Sequence, residues 1–526
     1  MRGLDARGGI RRLQWRLIIV LFVVWIGIGT AIVVLATSPF TERIQLFIPI
    51  YVLSTLWMFW LWIMPLTGLK QSIRLAVFVL LLLCATVFPV LVTFDGLDGS
   101  VRPIAKWRFA VQESPPTTDK APQRPASASV YPRRVEIPSF PQFLGPNRTG
   151  VITGTNLSHD LQAHPPRERW RHPVGRGWSA FATQANRAIT QEQRGDREMV
   201  VCYEIETGSE VWTHADNTTF RHSASGDGPR ATPTIVGERV YTVGATGRLN
   251  CLELTTGKQL WAINILEDNN AGNLLYGQCG SPLVVGELVI VSPSGGNGKS
   301  LVAYTKDKGE AVWRNGDDGG GYSSPALLTI AGIPQVLAFH APGMSAHDIE
   351  TGALLWIHPW QNSHKTNCSQ PVLIADGSDR VLISTGYGKG SCMIELKRTA
   401  DNSFAVTQLW TSRGFNTKFS VAVVHGGYAY GLDNGVLVCI DLADGKYKWK
   451  GGYYGHGQIL LADDLLVIVA EDGEVAFGKA SPAAFSELYR VKALNSKTWN
   501  NPALAGPFLL VRNDREAVCY ELLQEP

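Results

Sequence analysis

Five times in this chain a glycine is followed four residues later by a tryptophan: Gly208 and Trp212, Gly257 and Trp261, Gly309 and Trp313, Gly352 and Trp356, Gly445 and Trp449. Four residues before these glycines stand Glu204, Glu253, Thr305, Asp348 and Asp441, and six before stand Cys202, Cys251, Ala303, Ala346 and Cys439. The first copy reads "CYEIETGSEVW" (202–212). Offsets of six and four keep the period-two parity of a strand, so the small residue and the acid share one side. Glycine supplies the positive φ of a tight turn, and the acid is placed to cap amides there. Tryptophan then falls on the returning strand, where a large ring packs against a neighbouring unit, while the small slot lets sheets approach closely. The phrase predicts a docking hairpin, and its recurrence predicts a repeat protein.

A second phrase counts the units. Apolar strands open at Ser179, Thr232, Ser281, Ser324, Gln370, Ser420, Gln458 and Asn501, as in "TPTIV" and "SPLVV", each followed by a turn and another strand. Eight starts at spacings of roughly 38 to 53 residues predict eight four-stranded antiparallel units. Units that cannot bury both faces alone stack radially, which gives an all-β, eight-bladed β-propeller over 140–526. The last unit ends in "EAVCYEL" with no tryptophan strand after it, whereas "RERWRHPVG" (167–175) is such a strand with nothing before it. The strand of Trp170 is expected to complete the last blade and lock the ring. Trp170, Trp212, Trp261, Trp313, Trp356 and Trp449 are then structural.

Ahead of the repeats the composition changes. Apolar runs at 16–36, 44–66 and 75–94 are each long enough to cross a bilayer, so 1–95 reads as a transmembrane region of about three α-helical spans. The alternative for the first run is a cleavable signal peptide, with the other two still holding the chain in the membrane. Arg2, Arg7, Arg11, Arg12 and Arg16 precede the first run, and Lys70 and Arg74 lie between the second and third. The positive-inside bias keeps both clusters cytoplasmic and places everything after Phe94 outside. The expected location is the cytoplasmic (inner) membrane, multi-pass, with the propeller periplasmic. The stretch 96–139 is rich in Pro, Ser and Ala and reads as an extracytoplasmic linker.

With 48 basic against 45 acidic residues the chain has no basic footprint for nucleic acid. "PSGGNGKS" (293–300) imitates a phosphate loop, but Pro293 replaces its first glycine and a strand follows where a helix would be needed. "GRGWSA" (175–180) imitates a dinucleotide fingerprint without the βαβ setting. Cys202, Cys251 and Cys439 occupy the repeat's small slot, Cys519 is their expected equivalent, and buried thiols are favoured over bridges. No cysteine or histidine spacing suggests a metal site.

The phrase x-A/C-x-D/E-x-x-T-G-x-x-x-W, carried by five of eight blades, in full in three and with Lys308 or Asp444 for its Thr and Thr305 for one acid in the other two, resembles the PQQ-binding-like β-propeller repeat family, which includes BamB-like assembly factors and quinoprotein dehydrogenases. "FPQFLGPNRTGV" (140–151) also resembles the lead-in of membrane-associated members with no assigned activity. The dehydrogenase branch implies PQQ with calcium, an adjacent cysteine pair and carboxylate ligands. This chain has no Cys-Cys, which puts catalysis in doubt, so no catalytic residue is assigned.

In a propeller the loops entering each inner strand share one face with those between the second and third strands, and the Thr-Gly turns lie on the other. The first face is the more elaborate. Just before the inner strands, Trp178, Arg230, Gln278, Tyr322, Asn367, Lys418, His456 and Asn500 are expected to ring the channel mouth, with Glu192, Arg194 and Lys389 from the neighbouring loops. Such groups suit a polar ligand or a peptide, or else cap blade ends. The reading favours a membrane-anchored scaffold that binds an envelope protein or a small polar ligand. A PQQ-dependent dehydrogenase of alcohols or sugars and a membrane-linked ligand sensor stay open beside it.

Overall fold

In a computed structural model, which describes residues 91–100, 102–107, 137–317 and 319–525, each repeat forms a four-stranded antiparallel sheet. Blades 1 to 7 occupy 182–216, 234–264, 283–315, 326–359, 372–412, 423–453 and 458–492. Blade 8 joins 503–521 to the strand Arg167–Pro173, which pairs with Glu516–Glu521 and sets Trp170 opposite Cys519. The expected eight-bladed ring, locked by a strand from before the first blade, is present.

The docking phrase works through contact and hydrogen bonding together. Gly208, Gly257, Gly309, Gly352 and Gly445 all have φ of 70–72°. The indole of Trp170 lies over Gly208 of the next blade, and Trp212, Trp261 and Trp313 lie likewise over Gly257, Gly309 and Gly352. Each indole Nε1 donates to a carbonyl beside that turn: Ile205, Leu254, Lys306 and Ile349. Any Cβ at these glycines would overlap the ring, so the turn needs glycine for space as well as for φ. The small residue is fully buried in a cluster that, for Cys202, spans blades 1 and 2. It sits directly across from the tryptophan within the blade, as in Cys202–Trp212 and Ala303–Trp313, with a bulge immediately after.

Blade 5 departs from the pattern. Its outer hairpin turns through 399–403 without a Thr-Gly, yet Trp410 still covers Gly445 and donates to the Leu442 carbonyl. Trp356, facing that altered blade, donates instead to Gln335 Oε1 within its own blade.

The second phrase is an interblade belt. Thr232 Oγ1 accepts from the Ala180 amide, Ser281 Oγ from Thr232, Ser324 Oγ from Ser281, and Gln370 Oε1 from Ser324. The polar residue opening an inner strand therefore serves the backbone of the blade before it, which a buried amide requires.

The lead-in fills the central channel. Phe140 exchanges backbone hydrogen bonds with Thr183 of blade 1, and Pro141 accepts from Ile235 of blade 2. Arg148 donates to the Ser281 and Pro282 carbonyls at 3.1 Å, and Val151–Ile152 pairs in parallel with Gln458–Ala462 of blade 7. Burial lowers the Arg148 pKa to about 9.

The runs 16–36 and 44–66 lie outside the described residues. Residues 75–90 of the third lie outside them too, whereas Val92, Thr93 and Phe94, all good strand formers, belong to the strand Val92–Leu97, which pairs with Pro103–Trp107. Among the described residues no helix is long and apolar enough to cross a membrane. The stretch expected as linker thus begins with a hairpin, and its 108–136 lies outside the described residues. By contacts the chain divides into two units, 1–96 with 103–119 and 97–102 with 120–526, so the hairpin's loop Leu97–Arg102 belongs with the propeller.

Candidate functional site

The loops that enter the inner strands bring a run of aromatic and cationic side chains to the channel mouth. Trp178 and Trp499 pack with ring centroids 4.9 Å apart, and Phe419 touches both Trp499 (5.2 Å) and His456 (5.4 Å). Lys418 Nζ lies 4.8 Å from the Tyr387 ring, Lys497 Nζ 4.1 Å from Trp499, and Tyr276 and Tyr322 meet at 5.4 Å. Cys279 and Cys368 lie among them, and burial raises both thiol pKa values, that of Cys279 to about 11. Neither is an activated nucleophile.

The expected ring residues divide between two roles. Trp178, Tyr322, Lys418 and His456 belong to this run. Gln278, Asn367 and Asn500 turn away and are almost fully buried. Asn367 Nδ2 donates to the His340 and Trp360 carbonyls, Asn500 Nδ2 to Gly177 and Ser179, and Gln278 Nε2 to Asn273 Oδ1. In blades 3 and 5 it is the next residue, Cys279 or Cys368, that is partly exposed. Arg230 fastens the rim loop, donating to Gly226, Gly228 and Ser225 Oγ, while Trp178 Nε1 donates to the Ser225 carbonyl.

Three expected residues lie elsewhere. Glu192 is fully buried, accepting from the Gly175 amide, Tyr203 Oη and Arg194. Arg194 lines an open cleft of about 680 Å³ at the seam of blades 8 and 1. The arginines of that cleft are paired with acids, Arg194 with Glu210, Arg176 with Asp227 and Arg221 with Asp196. Lys389, in the loop between the second and third strands of blade 5, covers the buried Trp360 ring at 4.2 Å.

The mouth holds a piece of this same chain. In the loop Leu97–Arg102, Asp98 Oδ1 accepts from the amides of Ser100 and Arg102, which closes a tight turn. Gly99 at its apex is buried and read on both sides of its backbone: its amide donates to Glu471 Oε1 at 2.5 Å, and its carbonyl accepts from Lys418 Nζ. Ser100 Oγ lies 3.2 Å from His456 Nε2, and Lys497 Nζ donates to the Leu97 carbonyl. Glu471 is held for this task by Trp499 Nε1 (2.7 Å) and the His456 amide (2.9 Å). Burial lowers the pKa of Lys418 and of His456.

Sequence reasoning missed Glu471, Lys497, Trp499 and the loop. The signal for Glu471 was present, an acid in the short "AEDGE" turn straight after an all-apolar strand, but any surface acid gives the same one.

A family profile described as outer membrane protein assembly factor BamB matches residues 153–262 and 196–451. A protein of that name from Burkholderia pseudomallei is 26% identical over 344 residues, 57% of this chain and 84% of its own length. A quinoprotein ethanol dehydrogenase from Pseudomonas aeruginosa is 23% identical over 308 residues, 50% of this chain but 46% of its own. Among solved structures, the quinohemoprotein alcohol dehydrogenase of Comamonas testosteroni superposes with a TM-score of 0.52 at 12% identity. That match covers 73% of this chain and 80% of that one, and it attests the fold alone.

Proposed function

Since this chain belongs to the family of the outer membrane protein assembly factor BamB, we propose that its propeller is a protein-binding scaffold working through the channel mouth. The observation that carries this reading is the polypeptide turn already in that mouth, gripped by its backbone through Glu471 and Lys418. Backbone recognition framed by aromatic rings is the chemistry of a peptide site. We further propose that the apolar runs before residue 92 anchor the chain in the cytoplasmic membrane with the propeller outside, so that its partners are envelope proteins. The composition of those runs and the placement of their arginines support that orientation.

The quinoprotein alternative is less well supplied with ligands. Each oxygen of Glu471 already accepts from the propeller itself, Oε1 from Trp499 Nε1 and Oε2 from the His456 amide. The Arg230 guanidinium is held by the rim loop, and Cys279 and Cys368 come from different blades. Among the described residues no three His, Cys, Asp or Glu side chains converge as metal ligands. This donor set does not fit a quinone with its calcium.

Two measurements on the full-length chain test the proposal. A PQQ titration with calcium, followed by quinone absorbance and dye reduction with alcohols and sugars, is expected to show no stoichiometric binding; binding with turnover would replace the scaffold by an enzyme. Photocrosslinkers at Tyr276 and Tyr387 are expected to capture envelope proteins that a crosslinker at exposed Val211 does not. Equal capture from all three positions would remove the mouth as the binding surface.

A further inference from the structure

We infer that the channel mouth is a receptor for a glycine-centred turn, and that Leu97–Arg102 is a built-in competitor which a partner's turn must displace. The inference rests on the scaffold reading above and gives it a partner chemistry: a protein loop with Asp or Asn, then Gly, then Ser or Thr.

Each position of that motif follows from a contact. At the apex only glycine fits, because a Cβ on Gly99 would overlap the His456 ring. The His456 backbone is tied to Glu471, so the ring has little room to retreat. The Gly99 amide needs the Glu471 carboxylate and its carbonyl needs the Lys418 ammonium. These are charge-assisted bonds to the backbone, and they accept any chain that presents a bare peptide there. The next residue needs a hydroxyl for His456 Nε2. The preceding residue needs a side-chain acceptor, since Asp98 Oδ1 builds the turn by taking two amides, and its charge also acts on Lys418.

Competition follows from covalent attachment. A tethered turn sees its site at a high effective concentration, so a partner must out-bind it or wait for it to leave. The seated loop lowers the apparent affinity by the fraction of time it occupies the mouth.

The test uses the full-length chain and a fluorescent, head-to-tail cyclised peptide carrying Asp-Gly-Ser in a hairpin, read by anisotropy. Gly99→Ala and Asp98→Ala each unseat the chain's own loop without touching the receptor, and two variants guard against one failing to fold. Both are expected to bind the peptide at least tenfold more tightly than the unaltered chain. Adding Glu471→Gln to either should lose at least tenfold, and a peptide with Ala for Gly should bind none of them. Equal binding of the Gly and Ala peptides would overturn the receptor, and no gain in either loop variant would overturn the competitor. Capture of envelope proteins at Tyr276 and Tyr387 with no peptide binding would sink this inference alone, while peptide binding without such capture would sink the scaffold reading in cells.

Discussion

Trp170 on Gly208 is the contact where the ring closes, and it lends itself to a double-mutant cycle. Gly208→Ala forces an L-residue to φ 72° and drives its Cβ to 2.6 Å from the indole. The left-handed conformation costs about 1–2 kcal/mol. Pushing a methyl against a ring that is fixed by its bond to the Ile205 carbonyl costs about 1–3 kcal/mol more. Trp170→Ala alone costs about 3–5 kcal/mol, because the ring is buried and its cavity cannot collapse against two sheets. With the indole gone the methyl has room, so Gly208→Ala should cost only the backbone term. The double variant is therefore expected to be more stable than the sum of the single variants by about 1–3 kcal/mol. Urea midpoints followed by far-UV circular dichroism on the full-length chain measure this. Additivity within about 0.5 kcal/mol would refute the claim that this glycine exists to receive a tryptophan.

Glu198 is buried beside Asp216, and burial first, then that neighbouring charge, raises its pKa from 4.5 to about 8. The folded state keeps a proton that the unfolded chain has lost, so stability falls as pH rises from about 4.5 to about 8 and levels off above. Glu198→Gln should flatten the urea midpoint across that window and raise it at pH 8; an unchanged slope would show that Glu198 is ionised in the fold. Trp410→Ala should destabilise by about 3–5 kcal/mol, like the tryptophans of the phrase, although it lacks their glycine partner in sequence; a loss under about 1 kcal/mol would remove it from the docking set. Arg148→Met leaves the Ser281 and Pro282 carbonyls without their donor and should cost about 2 kcal/mol. It should also open 140–152 to limited proteolysis, and an unchanged digestion pattern would count against its role in pinning the channel segment.

The ring was legible in the sequence because its two phrases report local physics. A positive-φ turn demands Gly, and a returning strand places Trp at a fixed offset. Blade 5 escaped the pattern because its outer hairpin turns through 399–403 and Val406, not glycine, stands four residues before Trp410, so the spacing that marks the other docking strands is missing. The mouth was legible as a region and not residue by residue. Counting back from the inner strands found Lys418 and His456 but assigned the same role to Gln278, Asn367 and Asn500, whose amides turn back into the fold, Asn367 and Asn500 to backbone carbonyls and Gln278 to the Asn273 side chain. Which way a side chain turns at the end of a strand depends on which carbonyls its neighbours leave open, and sequence does not carry that. The loop Leu97–Arg102 was hidden for a related reason: "DGLDGS" reads as a polar break after an apolar run, and its partners lie more than 300 residues away.

The channel-filling lead-in has a mechanical consequence. Tension applied from the N-terminal side reaches residues 140–152 before it reaches the strand Arg167–Pro173 that closes the ring. Those residues are fastened to Thr183, Ile235, Ser281, Pro282 and Leu461, on blades 1, 2, 3 and 7. The load is therefore shared among many short bonds on the axis, as a stopper knot shares the pull on a rope threaded through a block. The closing strand feels no force until that knot has come undone.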